Sequence, residues 1–147
     1  MRIRPAKRDD TQAIAAVQSV SWKDAYKGML PDEYLGNDVA DELARHWKAL
    51  EICPKDVVLV AEEGEIIGFV AVWCRPDPFI DNLHVLPDWR SKGVGKKLMT
   101  AAAEQLVQLS HSTAYLWVLE ENDRAVKLYE ELGGGPRRAG EQAHFWP

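Results

Sequence analysis

The segment from Asp81 to Met99 strongly restricts the fold, because a strand-like run, a glycine-containing turn and a periodic helix follow one another. The apolar run ends at Pro87, and Gly93 and Gly95 open the helix. Amides at the start of a helix lack an intrahelical acceptor and carry partial positive charge. Glycine lets a phosphate approach the backbone closely, which a β-carbon would prevent. The segment therefore predicts a strand–loop–helix unit that binds a phosphorylated ligand.

Two common glycine-loop fingerprints do not fit this segment. No stretch of the chain matches the nucleotide P-loop, Gly-x-x-x-x-Gly-Lys-[Ser/Thr]. The dinucleotide fingerprint Gly-x-Gly-x-x-Gly lacks its third glycine, because Leu98 stands at that position. What remains is Arg90-x-x-Gly93-x-Gly95 after a strand. On its own, this pattern fits a helix start in a tight turn as well as it fits a phosphate site.

A second strand–turn–helix block follows downstream, where Asn122-x-x-Ala125-x-x-Leu128-Tyr129-x-x-x-Gly133 comes after an apolar run. The two blocks together resemble the GCN5-related N-acetyltransferase (GNAT) superfamily, whose cofactor motif is [Arg/Gln]-x-x-Gly-x-[Gly/Ala]. Two blocks in this order are more specific than either block alone, and the resemblance extends along nearly the whole chain. It implies an acyl-CoA N-acyltransferase fold.

Length and composition indicate one globular domain over residues 1–147. The sequence is 46% hydrophobic and 28% charged, and its apolar runs are no longer than a strand. Neither a membrane-spanning helix nor a signal peptide is expected, which predicts a cytoplasmic protein without a membrane partner. A net charge of −5 argues against nucleic acid as a partner. Cys53 and Cys74 lack disulfide-framework spacing, and the scattered histidines predict no metal site.

Hydrophobic periodicity predicts the other elements. Turn-length links between the early strands indicate an antiparallel meander, and a helical crossover indicates one parallel pair. The predicted fold class is α/β, with a central mixed, mostly antiparallel sheet and helices on both faces. Strands are expected at 2–4, 57–61, 66–73, 79–86 and 114–119, and helices at 11–21, 39–50 and 93–109.

Three local features carry further expectations. Asp9 or Asp10 is expected to cap the first helix, and Gly68 to mark a bulge or a close packing point. The second block ends in Gly-Gly-Gly-Pro at 133–136, where the family usually has Gly-Phe. The last two strands are then expected within 137–147, as a tight hairpin around residues 139–141.

The resemblance implies acetyl-CoA as co-substrate and no metal. Backbone amides of the glycine loop would hold its pyrophosphate, with Arg90 adding charge. The strand edge at 82–85 would pair with the pantetheine arm, and an amide near Val85 would stabilise the thioester oxygen. Asn122 would lie beside the cofactor, although it is also a good helix N-cap. The cofactor-binding residues assigned in this way are Leu83, His84, Val85, Arg90, Ser91, Lys92, Gly93, Val94, Gly95, Lys96 and Asn122.

The family position of Tyr129 implies a general acid for the departing thiolate, although the residue also fits a helical core face. The base is open, with Asp81, His84 and Glu120 as candidates. Strand alternation predicts that Asp81 and His84 lie on opposite faces, so only one of them would reach the cleft. Asp81 is our choice.

The segment with Trp22 and Tyr26 resembles the acceptor-lining connection of many bacterial members. The two side chains are equally well explained as an amphipathic pair at a helix end. The implied activity is acetyl transfer to a primary amine of a small molecule or peptide, by direct attack in a ternary complex. The alternatives are an acyl-CoA-binding sensor with little catalysis and a protein N-terminal or lysine acetyltransferase. A homodimer is compatible with the sequence.

Overall fold

The computed structural model describes residues 1–25, 37–75, 77–111, 114–116, 135–136 and 143–145. Within these ranges no helix is long and apolar enough to cross a membrane. Short 3-10 turns occupy Arg8–Asp10 and Pro87–Trp89. The helices are α1 (Thr11–Ala25), α2 (Asn37–Ala49) and α3 (Val94–Gln108). The strands are β1 (Arg2–Pro5), β2 (Val57–Glu63), β3 (Glu65–Cys74), β4 (Pro78–Val85), β5 (Ala114–Leu116), β6 (Gly135–Pro136) and β7 (Ala143–Phe145).

The strands described form one sheet in the order β1-β2-β3-β4-β5-β7-β6. Neighbours pair antiparallel except β4 and β5, which are parallel and are joined through α3. This arrangement confirms the predicted mixed, mostly antiparallel sheet and its single parallel crossover.

Alternating side chains of the sheet supply two apolar cores. In β3, Val70 and Val72 belong to the core under α3, whereas Phe69 and Ala71 belong to the core under α1 and α2. Trp47 of α2 is 1% exposed and packs edge-on against Phe69, with ring centroids 5.5 Å apart. The predicted placement of helices on both faces is therefore confirmed.

Two predicted boundaries differ from the structure. Helix α1 continues four residues past Ser21, because no glycine or proline occurs before Gly28. Strand β6 lies at Gly135–Pro136, so the prediction that both final strands follow residue 136 is wrong. Pro136 cannot donate to a ladder, and β6 is the edge strand of the sheet, where a missing donor is tolerated.

Asp10 caps the 3-10 turn that leads directly into α1, whereas the prediction for Gly68 holds. The Asp10 carboxylate accepts from the Lys7 amide at 2.7 Å and from Arg4, so it is engaged by groups that precede α1. Gly68 adjoins a register shift, and a β-carbon there would lie 3.1 Å from the His84 carbonyl oxygen. Gly68 thus allows β3 and β4 to pack closely.

Candidate cofactor and acceptor site

The loop between β4 and α3 contains two backbone conformations of positive φ. Ser91 has φ of 62° and Gly93 has φ of 82°, the second serving as N-cap of α3. The space into which a β-carbon of Gly93 would project contains no atom within 4 Å. Gly93 therefore relieves backbone strain and leaves the front of the helix N-terminus open.

The N-terminus of α3 presents unpaired amides. Lys97 donates to the Gly93 carbonyl at 3.0 Å and is the first amide of the helix with an intrahelical acceptor. The amides of Val94, Gly95 and Lys96 precede it and have none. The first turn contains no acidic residue, and Lys96 and Lys97 are exposed there. This end of the helix suits an anionic group such as a pyrophosphate.

The described residues of β5 pair with only the first part of β4. Among the described residues, β5 pairs with β4 at Phe79 and Ile80. Leu83, His84 and Val85 lie beyond this pairing and lead directly to the glycine loop. Backbone groups of this edge are placed to pair with an extended, peptide-like chain.

A bulge changes which face of β4 carries Asp81. Asn82 pairs with Ala71 and Ile80 with Val72, so Asp81 is an extra residue in β4. Its carboxylate accepts from Trp73 Nε1 at 3.0 Å and from Asn82 Nδ2 at 3.1 Å. Both of these partners lie on the α1–α2 side of the sheet.

The alternation argument that separated Asp81 from His84 is therefore wrong. Side chains alternate between the two faces of a strand, and one extra residue shifts this alternation by one. Two side chains that are three positions apart then lie on the same face. The structure places Asp81 and His84 on the same face of β4, beside α1. Asp81 is exposed, whereas His84 is partly buried.

Hydrogen-bonded side chains connect this face of β4 to the helices. Gln18 Nε2 donates to Asn82 Oδ1 at 2.9 Å, and Trp47 Nε1 donates to Gln18 Oε1 at 2.6 Å. Together these bonds orient the Asn82 side chain, which in turn donates to Asp81. A polar layer thus separates α1 from the strand that carries the candidate base.

His84 belongs to the same polar layer. Its Nδ1 atom lies 3.0 Å from Ser21 Oγ, and its ring packs against Phe69 with centroids 5.6 Å apart. Burial, with a further contribution from the positive charge of Arg90, lowers the pKa of His84 to about 4. The imidazole is therefore neutral at pH 7.

Arg90 turns its side chain toward the protein. Its Nε donates to the Val85 carbonyl at 3.2 Å, and Nη2 donates to the carbonyl and hydroxyl oxygens of Ser21 at 3.2 and 3.0 Å. Nη1 donates to the carboxylate of Asp24. The sequence assigns this side chain to the cofactor's phosphates, but four protein oxygens engage it here. The Arg90 amide is also engaged, since it donates to the Pro87 carbonyl at 3.2 Å.

The structure brings the strand edge, the glycine loop and Asp81 to one end of the sheet. Trp22 lies on α1, one residue beyond Ser21, and is partly buried. Tyr26, Glu120, Asn122 and Tyr129 lie outside the described residues, so their assigned roles stay predictions.

Sequence reasoning missed Gln18 and Ser21 as members of the site. Both follow buried apolar residues of α1 at helical spacing, after Ile14 and Val17. Polar residues on the buried face of a helix need polar partners. The presence of two such residues on the apolar face of α1 was therefore the sequence feature that could have indicated a polar site.

Comparison with known proteins decides the family. The model of the acetyltransferase (GNAT) family matches residues 19–134. The chain belongs to the GNAT family. An uncharacterized N-acetyltransferase of Archaeoglobus fulgidus is 34% identical over 140 residues, which cover 88% of this chain and 89% of the relative. The uncharacterized N-acetyltransferase YuaI of Bacillus subtilis is 28% identical, over 82% of this GNAT chain and 72% of its own length.

A solved structure shows the same fold. The PaiA N-acetyltransferase of Thermoplasma acidophilum, in complex with coenzyme A, superposes with a TM-score of 0.78. The match covers 97% of this GNAT chain and 96% of that protein, at 20% sequence identity. The likeness at this identity establishes the architecture of the sheet and helices.

Proposed function

We propose that this chain is an acetyl-CoA-dependent N-acetyltransferase that acetylates a primary amine of a small molecule or peptide. The observation that carries the proposal is the junction of the β4 edge with the open N-terminus of α3. Amides at that N-terminus suit a pyrophosphate, and the β4 edge suits the amide-rich pantetheine arm. Membership of the GNAT family supports the reaction, and the coenzyme A complex of PaiA supports the cofactor.

The proposed binding mode follows from these backbone groups. The amides of Val94, Gly95 and Lys96 would donate hydrogen bonds to the pyrophosphate oxygens. The edge at 83–85 would hold the pantetheine arm, on the same strand that carries Asp81. An amide near Val85 would then stabilise the negative charge that develops on the thioester oxygen during attack.

Proton transfer is assigned to two residues. An amine is mostly protonated at neutral pH and must lose a proton before it attacks. The exposed Asp81 carboxylate, oriented by Trp73 and Asn82, would remove that proton directly or through a water. Tyr129 would protonate the departing thiolate, a role that rests on the family resemblance of its motif.

The cofactor part of the proposal is tested by acetyl-CoA binding in a calorimeter. Gly93→Val should abolish detectable binding, because the new side chain fills the open space before the α3 N-terminus. Gly64→Val is the matched control, since Gly64 also has positive φ (75°) and open surroundings but lies in the β2–β3 turn. The control should bind within about threefold of the wild type.

Both variants place a side chain at a glycine with positive φ and so introduce the same kind of backbone strain. Their melting temperatures should therefore change by similar amounts. Equal loss of binding in both variants would show that strain, and not the α3 N-terminus, controls affinity. Unchanged affinity in Gly93→Val would overturn the loop assignment.

The catalytic part is tested by release of coenzyme A from acetyl-CoA across a panel of small amines and peptides. Asp81→Asn should move the acidic limb of the pH–rate profile, and Tyr129→Phe should lower turnover far more than cofactor affinity. Binding without turnover across the panel would favour an acyl-CoA sensor. Turnover confined to peptides would favour a protein acetyltransferase.

A further inference from the structure

A chain of hydrogen bonds links the glycine loop to the α1 side of β4. It runs from Arg90 through Ser21 to His84. Arg90 and Ser21 are 69 positions apart in the sequence, and Ser21 and His84 are 63 positions apart. Ser21 is 3% exposed, and the Arg90 side chain is 12% exposed. Packing therefore holds all three groups in one arrangement.

The direction of the donors follows from chemistry. A guanidinium only donates, so the Ser21 hydroxyl oxygen is the acceptor of its bond with Arg90 Nη2. The hydroxyl retains its own hydrogen, and His84 Nδ1 lies 3.0 Å away. If that hydrogen is donated to Nδ1, the proton of the neutral ring must be on Nε2.

The other ring nitrogen is left for a ligand. Among the described residues, His84 Nε2 has no hydrogen-bond partner, and no buried side-chain polar atom lacks one. His84 is partly exposed, so a ligand can reach part of the ring. The charged groups around the ring are Arg90, Asp24 through its bond with Arg90, and Asp81 on the same face of β4.

We infer that Arg90 and Ser21 are positioning residues that hold His84 as the Nε2–H tautomer, and that His84 binds the acceptor substrate as a neutral hydrogen-bond donor. Its partner is an oxygen of the acceptor, such as a carbonyl or hydroxyl near the amine. A neutral ring at this point does not repel an ammonium group, as an imidazolium would. His84 is then not the general base, which leaves Asp81 and Glu120 as the candidates for that role.

This inference rests on the proposed function for its substrate, but its first test does not require activity. Two-bond 1H–15N correlation spectra of the labelled protein distinguish the two histidine tautomers. The wild type should show His84 as Nε2–H and neutral from pH 8 to pH 5.5. An Nδ1–H tautomer, or protonation in the ordinary range of histidine, would overturn the inference.

Ser21→Ala should remove the donor to Nδ1 and convert the His84 signals to a mixture of tautomers. Ser19→Ala is the matched control, because Ser19 is also buried on α1 (5% exposed). The control should leave the signals of the wild-type tautomer in place. A pure Nε2–H signal in Ser21→Ala would show that Ser21 does not select the tautomer.

Arg90→Lys retains the charge but cannot form the same fork of bonds. The inference expects the mixed-tautomer signal here too, with the exposed Arg45→Lys on α2 as a control that keeps the wild-type spectrum. A wild-type tautomer in Arg90→Lys would remove Arg90 from the chain of positioning residues.

The second test separates substrate binding from base catalysis. Glutamine places an amide donor near the position of Nε2, whereas phenylalanine has no donor. His84→Phe should raise the KM of the acceptor roughly three- to tenfold with little change in kcat, and His84→Gln should restore most of it. A large loss of kcat in both variants, with loss of the acidic limb of the pH profile, would make His84 the base.

The two hypotheses fail in different ways. No turnover with any acceptor would count against the proposed acetyltransferase, while the spectra would still decide the tautomer. Turnover with the wrong tautomer, or with unchanged KM in His84→Phe, would overturn the inference about His84 alone.

Discussion

Two of the aspartate–arginine pairs in the described part of the chain differ in which member is buried. In the first pair, the Asp56 side chain is fully buried and that of Arg75 is 52% exposed. In the second pair, the Arg90 side chain is 12% exposed and that of Asp24 is 47% exposed. The first pair lies where β2 begins and β3 ends, and the second lies beside the glycine loop.

The buried member of each pair makes the contacts with the backbone. Asp56 accepts from the amides of Cys53 and Cys74, both at 3.0 Å, in addition to Arg75 at 2.8 Å. Burial alone would raise the pKa of Asp56, but hydrogen bonds from Arg75 and the two amides outweigh it and hold that pKa below its usual value.

Arg90 is the reverse case, because a buried donor requires acceptors. Its guanidinium bonds to the carbonyls of Val85 and Ser21 and so joins β4 to α1. The comparison teaches that the buried ion makes most of the backbone contacts, while its exposed partner balances the charge and, in the case of Arg75, also donates to the Glu51 carbonyl at 3.0 Å. Removing the buried member should therefore cost more than removing the exposed one.

The largest effect is expected for Asp56→Asn. Both carboxylate oxygens of Asp56 accept hydrogen bonds from backbone amides. Asparagine has only one oxygen at this position, and its NH₂ group would face a backbone N–H donor. The free energy of unfolding should fall by about 3 kcal/mol at pH 7, as for a buried polar group that loses its partners. Urea denaturation measures this, with the exposed Asp41→Asn on α2 as a control that should change little.

The same variant has a defined pH dependence. Because the folded-state pKa of Asp56 lies below the unfolded value of about 4, its contribution is full above that value and is lost as pH falls through the folded pKa. The difference in stability between wild type and Asp56→Asn should therefore shrink below about pH 4. A difference independent of pH would mean that the carboxylate charge is not involved.

An intermediate effect is expected for Arg75→Gln. The backbone amides of Cys53 and Cys74 remain on Asp56, but the countercharge is gone, so the pKa of Asp56 should rise toward its ordinary value. Acid unfolding should begin at higher pH than in the wild type, with a smaller loss at pH 7 than in Asp56→Asn. Arg75→Lys should recover part of the resistance to acid unfolding. Equal losses of this resistance in Arg75→Gln and Arg75→Lys would contradict a charge effect.

The smallest effect is expected for Asp24→Asn. Three bonds from Arg90 to Val85 and Ser21 remain, so the guanidinium should stay in place. The loss of unfolding free energy should be less than about 1 kcal/mol, as for an exposed ion pair. Acetyl-CoA affinity should stay within about twofold. A loss of stability or affinity well beyond these limits would show that the exposed carboxylate, and not the buried guanidinium, organises this region.

Much of the architecture could be predicted because it depends on local pattern. Apolar alternation in β2 and β3, the stripe on α3 and the turn residues around Gly64 specify elements whose neighbours are close in sequence. The sheet, its parallel crossover and the helices on both faces were predicted on that basis. The C-terminal end of α1 and the position of β6 were not, because the limits of helices and strands are the least certain part of such a prediction.

The sequence by itself determined the strand–glycine loop–helix unit, since a positive φ at Gly93 and unpaired amides at the start of α3 are properties of the local chain. Only the tertiary structure decided which groups that unit faces. The extra residue in β4 turns Asp81 to the side of His84, and the bonds from Arg90 and Ser21 join positions more than 60 residues apart. Such choices depend on register and packing between distant segments, which no local pattern of residues encodes.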